Sequence, residues 1–255
     1  MKGILPMSDQ VLSSYNGSQI GFTVRDFALN QTSFQNIGIN ANAIAAGNNN
    51  DVFLASANHL YHYGTNGTLI ANMTFPDAGI IYTGVVVKGD RVYASYKGSQ
   101  QGVTVRDLNL VQLSCFNTGV NASGIAAGPN NDVYIAAGSH LINYRTDGTL
   151  IKDMAFPDTG VNYTDVTVLG GTVYASYNGS QQGFTVRDLA LNQSSFVAIA
   201  ANIHSIAAGP NNDVYLASAN KLLNYSAGGQ LIKDMTFPIN TINYTGVTVT
   251  FNTLT

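Results

Sequence analysis

The chain of 255 residues carries a net charge of −3, with 11 Lys and Arg set against 14 acidic residues, every one of them Asp. Charged side chains make up 10% of it, against roughly 25% in an average soluble domain, so no basic stripe exists to neutralise phosphates, and nucleic-acid and anionic-membrane binding are set aside. No apolar run approaches the ~18 residues needed to span a bilayer, so membrane insertion is not expected either.

Residues 1–10 include Lys2 but no continuous apolar stretch, and they do not read as a signal peptide. From Ser14 onward the chain repeats. The stretch Ser176-Tyr-Asn-Gly-Ser-Gln-Gln-Gly-Phe-Thr-Val-Arg-Asp188 recurs with small changes at Ser95–Asp107 and Ser14–Asp26, so Tyr15, Tyr96 and Tyr177 stand 81 residues apart. Each unit divides again: Asn131-Asp-Val-Tyr134 lies 40 residues before Gly171-Thr-Val-Tyr174 and 41 after Asp90-Arg-Val-Tyr93. Six units of alternating odd and even kind therefore fill the chain, at about 1–40, 41–81, 82–121, 122–162, 163–202 and 203–243. A fixed period outranks the length prior, and one closed repeat domain over 1–255 is expected.

Inside a unit, period-two alternation broken by Gly-Gly, Asn-Gly and Leu-Asn turns predicts four short strands. An even unit gives Gly124–Gly128, Asp132–Ala137, His140–Tyr144 and Thr149–Met154. An odd unit gives Asp165–Leu169, Thr172–Tyr177, Gly183–Asp188 and Gln193–Ala198. A twisted sheet of about 40 residues cannot bury both faces alone, whereas six packed radially can. The fold class is all-β: a six-bladed β-propeller of four-stranded antiparallel blades. Aligned on the third repeat, Gly3-Ile-Leu-Pro-Met7 falls on the innermost strand with Pro6 in the ladder, where proline cannot donate. Gly246–Thr250 is a clean further copy of that strand, so segment 244–255 is expected to complete the first blade and close the ring. The units carrying Gly-Pro-Asn-Asn-Asp-Val-Tyr and Tyr-Arg-Thr-Asp-Gly resemble blades of NHL-type six-bladed propellers. That resemblance implies the fold and leaves open whether the domain is enzyme, lectin or adaptor.

Few residues point to chemistry. Arg25-Asp26, Arg106-Asp107 and Arg187-Asp188 end strands, where Asp stabilises the turn and Arg pairs with a neighbour. Asp51, Asp132 and Asp213 follow Asn-rich turns but lack the alternating carboxylates of a calcium loop, so they read as Asx turns. His59 and His140 share a position that holds Lys221 in the third repeat; His62 matches Asn143 and Asn224, and His204 stands alone. No metal site, cofactor or catalytic residue is expected. Cys115, placed where Phe34 and Phe196 stand in the other repeats, reads as a small core residue. Ten Asn-x-Ser/Thr sequons fit a chain this rich in Asn, Ser and Thr.

The hairpin loops combine an aromatic with amides. Tyr15, Asn16 and Gln19, Tyr96, Lys97 and Gln100, and Tyr177, Asn178 and Gln181 are the candidate ligand-binding residues: sugar faces stack on Tyr while hydroxyls bond amides, and threefold repetition adds avidity. The outer strands suggest a rival use. Even units carry Lys152-Asp153 and Lys233-Asp234 there, whereas Gln31–Gln35, Val111–Cys115 and Gln193–Val197 are uncharged edges open to pairing. The sequence thus predicts a non-enzymatic recognition module for a neutral glycan or protein partner, extracellular or surface-associated. The alternative is a scaffold that self-associates through its uncharged outer blade edges, and a third reading is a lactonase- or lyase-like propeller enzyme.

Overall fold

A computed structural model describes residues 9–49 and 51–250. Its strands form six four-stranded antiparallel sheets. The first blade holds β1 (Gln10–Gly17), β2 (Gly21–Arg25) and β3 (Gln31–Asn36), and the second β4 (Ala43–Ala46), β5 (Asp51–Ser56), β6 (His59–Gly64) and β7 (Leu69–Thr74). The third is β8 (Ile80–Lys88), β9 (Arg91–Gly98), β10 (Gly102–Asp107) and β11 (Gln112–Asn117); the fourth is β12 (Gly124–Ala127), β13 (Asp132–Ala137), β14 (His140–Arg145) and β15 (Leu150–Ala155). The fifth is β16 (Val161–Leu169), β17 (Thr172–Gly179), β18 (Gly183–Asp188) and β19 (Gln193–Ala198). The sixth is β20 (Ser205–Gly209), β21 (Asp213–Ser218), β22 (Lys221–Ser226) and β23 (Leu231–Thr236). The last strand, β24 (Ile242–Thr250), pairs antiparallel with β1, with Ser13 opposite Val247, so the C-terminal strand is the innermost one of the first blade. The expectation for Gly3–Met7 lies outside the described residues.

Blade faces, not a central core, bury the apolar side chains. Six clusters each join one blade to the next. Between the fourth and fifth blades, Ala126, Tyr134, Leu141 and Phe156 meet Val161, Tyr163, Val173, Tyr177 and Leu191. The closing interface repeats this packing, with Ala207, Tyr215, Leu222 and Phe237 against Ile242, Tyr244, Val11, Tyr15 and Leu29. Because a neighbour covers each face, middle strands such as β13 are buried at every position while outer strands are mostly exposed.

Three expectations change. The inner odd strands begin earlier than Asp165 or Gly246 implied, because a bulge at Tyr163/Asp165 carries the pairing back to Val161 opposite Gly179. Equivalent bulges lie at Tyr82/Gly84 and Ser14/Tyr15. Cys115 is exposed rather than in the core: β11 is an outer strand, and on the matching strand Phe196 is itself 37% exposed. The third change concerns the tyrosines of the hairpin loops.

Candidate functional site

Tyr15, Tyr96 and Tyr177 lie at the last buried position of β1, β9 and β17, with 0%, 4% and 0% of their surface exposed. Tyr15 stacks on Phe34 at 4.9 Å and donates to the Gln35 carbonyl at 2.8 Å. Tyr177 stacks on Phe196 at 4.8 Å and donates to the Val197 carbonyl at 3.0 Å; Tyr96 packs on Phe75 at 5.3 Å. Burial pushes all three phenols up from their ordinary range. Their faces are occupied, so none of them offers a platform to a sugar. Spacing places a residue beside a turn but does not say which side of it a neighbouring blade covers.

The polar candidates divide. Asn178 is half-buried and ties down the loop before the sixth blade, its Nδ2 donating to the Ile203 carbonyl at 2.7 Å and its Oδ1 accepting from Ile203 N at 3.0 Å. Gln181 donates to Asp158 at 3.3 Å beside Ser180 at 3.0 Å. The matching Ser99 donates to Asp77 at 2.5 Å. Backbone donation from Gly160 and side-chain donation from Ser99 hold Asp158 and Asp77, respectively, below the usual carboxylate range. Lys97, Gln100 and Gln181 are exposed, while Asn16 and Gln19 are half-buried.

The repeated charges are structural, as their positions suggested. Asp26, Asp107 and Asp188 accept backbone N–H groups within their own turns, from Asn30, Val111 and Asn192. Asp51, Asp132 and Asp213 each cap their turn and take a second bond from the facing strand: His62 Nε2 at 2.6 Å, Asn143 at 3.2 Å and Asn224 at 3.0 Å. Among the described residues no three His, Cys, Asp or Glu side chains converge as metal ligands would, and no helix is long and apolar enough to cross a membrane.

Two surfaces carry more: the channel, which the sequence did not single out, and the outer strands, where it singled out the charges of the even units and the uncharged odd edges but not the apolar pairs. Along the axis, the inner strands enclose a channel of about 560 Å³ walled by Ile44, Val85, Ile125, Val166, Ile206 and Val247. Among the described residues two charged side chains line it, Asp165 and Lys88, the latter donating to the Gly128 carbonyl. Asp165 lies deep enough that desolvation pushes its carboxyl up to about 6, although Ser205 and the amides of Val166 and Ile206 donate to it. The second surface is the rim. Leu69 and Ile70, Leu150 and Ile151, and Leu231 and Ile232 begin the outer strands of the three even blades, all between 48% and 56% exposed.

No protein-family model matches the chain, and no curated protein sequence matches it. A crystal structure of a protein of unknown function from Bacteroides caccae is similar in fold, with a TM-score of 0.72 at 12% identity, covering 95% of this chain and 99% of that one. The chain is a six-bladed β-propeller. At that identity the likeness fixes the propeller fold alone, and function has to be argued from the surfaces just described.

Proposed function

We propose that this propeller is a non-catalytic scaffold that captures extended segments of partner proteins along the outer edges of its even blades. The observation that carries the reading is the exposed Leu-Ile pair at the head of β7, β15 and β23. An outermost strand leaves one row of backbone donors and acceptors unpaired, and an added strand satisfies them while its side chains settle against apolar anchors. Each edge is a weak site, and three of them a third of a turn apart let a multivalent partner bind firmly.

The occupant is another protein rather than a second copy. Residues directly opposite one another in an antiparallel pair share a face, and successive residues alternate faces. Two identical β15 edges related by a twofold axis therefore set Lys152 against Lys152, Leu150 or Met154 of the other copy, never against Asp153; the same holds for Lys233 on β23, while β7 has the uncharged Ala71 and Asn72 at these positions. Like charges opposed are unfavourable, whereas a foreign strand can offer a carboxylate to Lys152 or Lys233. The buried loop tyrosines remove the main support for a glycan site.

The test exchanges Leu and Ile of one, two or three even edges for Ser and measures retention of one identified partner from a native extract. Stepwise loss at unchanged melting temperature is expected. Full retention by the triple-edge variant overturns the reading, as does loss on changing Gln19, Gln100 and Gln181 to Ala, which would return the site to the loops. If a second copy of the chain is the bound species, the uncharged odd edges are the assembly surface instead.

A further inference from the structure

The channel breaks the threefold repeat at two adjacent points. Where the second and third copies of the odd inner strand would match, Asp165 stands in place of Gly84 and Gly246, and beside it Ser205 stands in place of Ala43 and Gly124. The two side chains touch, Ser205 Oγ donating to Asp165 Oδ2 at 2.7 Å, with the Ile206 amide on the same oxygen at 3.1 Å. Oδ1 receives only the amide of the next residue, Val166, at 2.8 Å. A carboxylate oxygen accepts more than one bond, so Oδ1 keeps capacity for a donor in the channel.

Nothing in the fold requires a carboxylate here, since two of the three repeats close their inner strands with glycine at this position. Among the described residues no Lys, Arg or His is in ion-pair contact with Asp165. A charge held in a largely desolvated position is costly without a partner. The rest of the wall is mostly Ala, Val, Ile, Leu and Gly, with Asn48, Lys88, Thr167, Ser205 and Thr248 as its other polar side chains among the described residues. A cavity of about 560 Å³ with largely aliphatic walls and a few polar groups has the character of a small-molecule site.

We propose that the channel binds a small aliphatic ammonium compound, its cationic nitrogen donating to Asp165 and its hydrocarbon body packing against Val85, Ile125 and Ile206. The charge-assisted hydrogen bond replaces the counter-ion that none of the described residues supplies, and the low dielectric of the site strengthens it. Ser205 and the Ile206 amide hold Oδ2, which leaves Oδ1, seated against the backbone of Gly124, as the oxygen with fewer protein donors and the one to take the ligand's N–H. This site is independent of the rim.

The test uses n-butylammonium, n-butanol and n-butyrate as probes of equal length, with calorimetric titration and ligand-observed NMR on the full chain. Butylammonium is expected to saturate one site, with butanol weaker and butyrate not bound. Asp165→Asn, nearly the same in shape, should weaken butylammonium by about tenfold or more, the scale of a lost charge-assisted bond. Asp165→Gly copies the other repeats and should do the same, so a folding fault in one variant does not decide the outcome. Equal binding of butanol and butylammonium, butylammonium binding that survives both substitutions, or no saturable binding of it by the parent chain would each overturn the proposal.

Discussion

Asp165 shows how much one residue can depart from a repeat. Its carboxyl is pushed up to about 6 from an ordinary value of 3.8 because burial penalises the charged form more than Ser205 and two amides favour it. The folded state therefore holds a proton that the unfolded chain releases at lower pH. Stability is then lowest with the group ionised above pH 6, and it rises as pH falls through 6 toward 4, by at most about 3 kcal/mol for a shift of about two units. His204 opposes this, since desolvation lowers its pKa and protonation on acidification favours the unfolded chain. Carboxylates held below their usual range, such as Asp77, Asp158 and Asp188, oppose it too, so the comparison that isolates Asp165 is between variants: across pH 7.5 to 4.5 the melting temperature of the parent should gain on that of Asp165→Asn, with the variant the more stable at pH 7.5. Parallel curves would show that channel water already solvates the carboxylate.

At the scale of the element, the turn between the third and fourth strands of each odd blade is held by a device the sequence only half disclosed. The Asp of each Arg-Asp pair reads directly as a turn residue. The work of the Arg depends on a backbone angle: Leu29, Leu110 and Leu191 adopt φ of 62°, 66° and 64°, the left-handed region that a Leu occupies at a cost. In each turn the Leu side chain is buried, and its carbonyl accepts from Arg25, Arg106 or Arg187 Nη1 at 2.9 Å. The same guanidinium reaches a Gln on the outer strand and the phenol of Tyr244, Tyr82 or Tyr163 on the inner one. One side chain thus spans the blade from edge to axis. Arg187→Met should cost about 2–4 kcal/mol in urea unfolding, because it leaves the Leu191 carbonyl buried without its donor and takes one of two side-chain partners, Arg187 beside Thr185, from the Tyr163 hydroxyl. Arg25→Met and Arg106→Met should cost about the same, and a loss at only one of the three would mean that the turn is not the shared device. Strand existence was legible from alternation, and β18 and β19 keep the bounds their residues implied. Facing was not: with both faces of a middle strand covered, alternation no longer separates inside from outside, which is why Tyr15, Tyr96 and Tyr177 read as loop aromatics and proved to be core.

For the whole molecule the decisive feature is how the ring closes, and it was legible because Pro6 excludes one candidate strand while Gly246–Thr250 repeats the pattern of the other. In the structure β24 does more than pair with β1. Ile242, Tyr244 and Val247 are buried in the cluster joining the sixth blade to the first. The strand is also bonded to that blade directly: Tyr244 N donates to the Ala219 carbonyl at 2.6 Å, and Val247 N to Ser205 Oγ at 3.2 Å. From the first blade, Arg25 donates to the Tyr244 hydroxyl at 3.1 Å. Deleting residues 242–255 removes the inner edge of one blade and half of an interface together, and burial of three such side chains alone is worth several kcal/mol. Against a total stability of about 5–15 kcal/mol, the truncated chain should unfold at far lower urea or exist as an open, aggregation-prone ring. A peptide of residues 240–252 added in trans should restore the lost stability in a concentration-dependent way, because it binds the folded ring and not the unfolded chain. A truncated chain that melts with the parent, or a collapse that the peptide cannot rescue at any concentration, would show that β24 is not the clasp that joins the two ends of the ring.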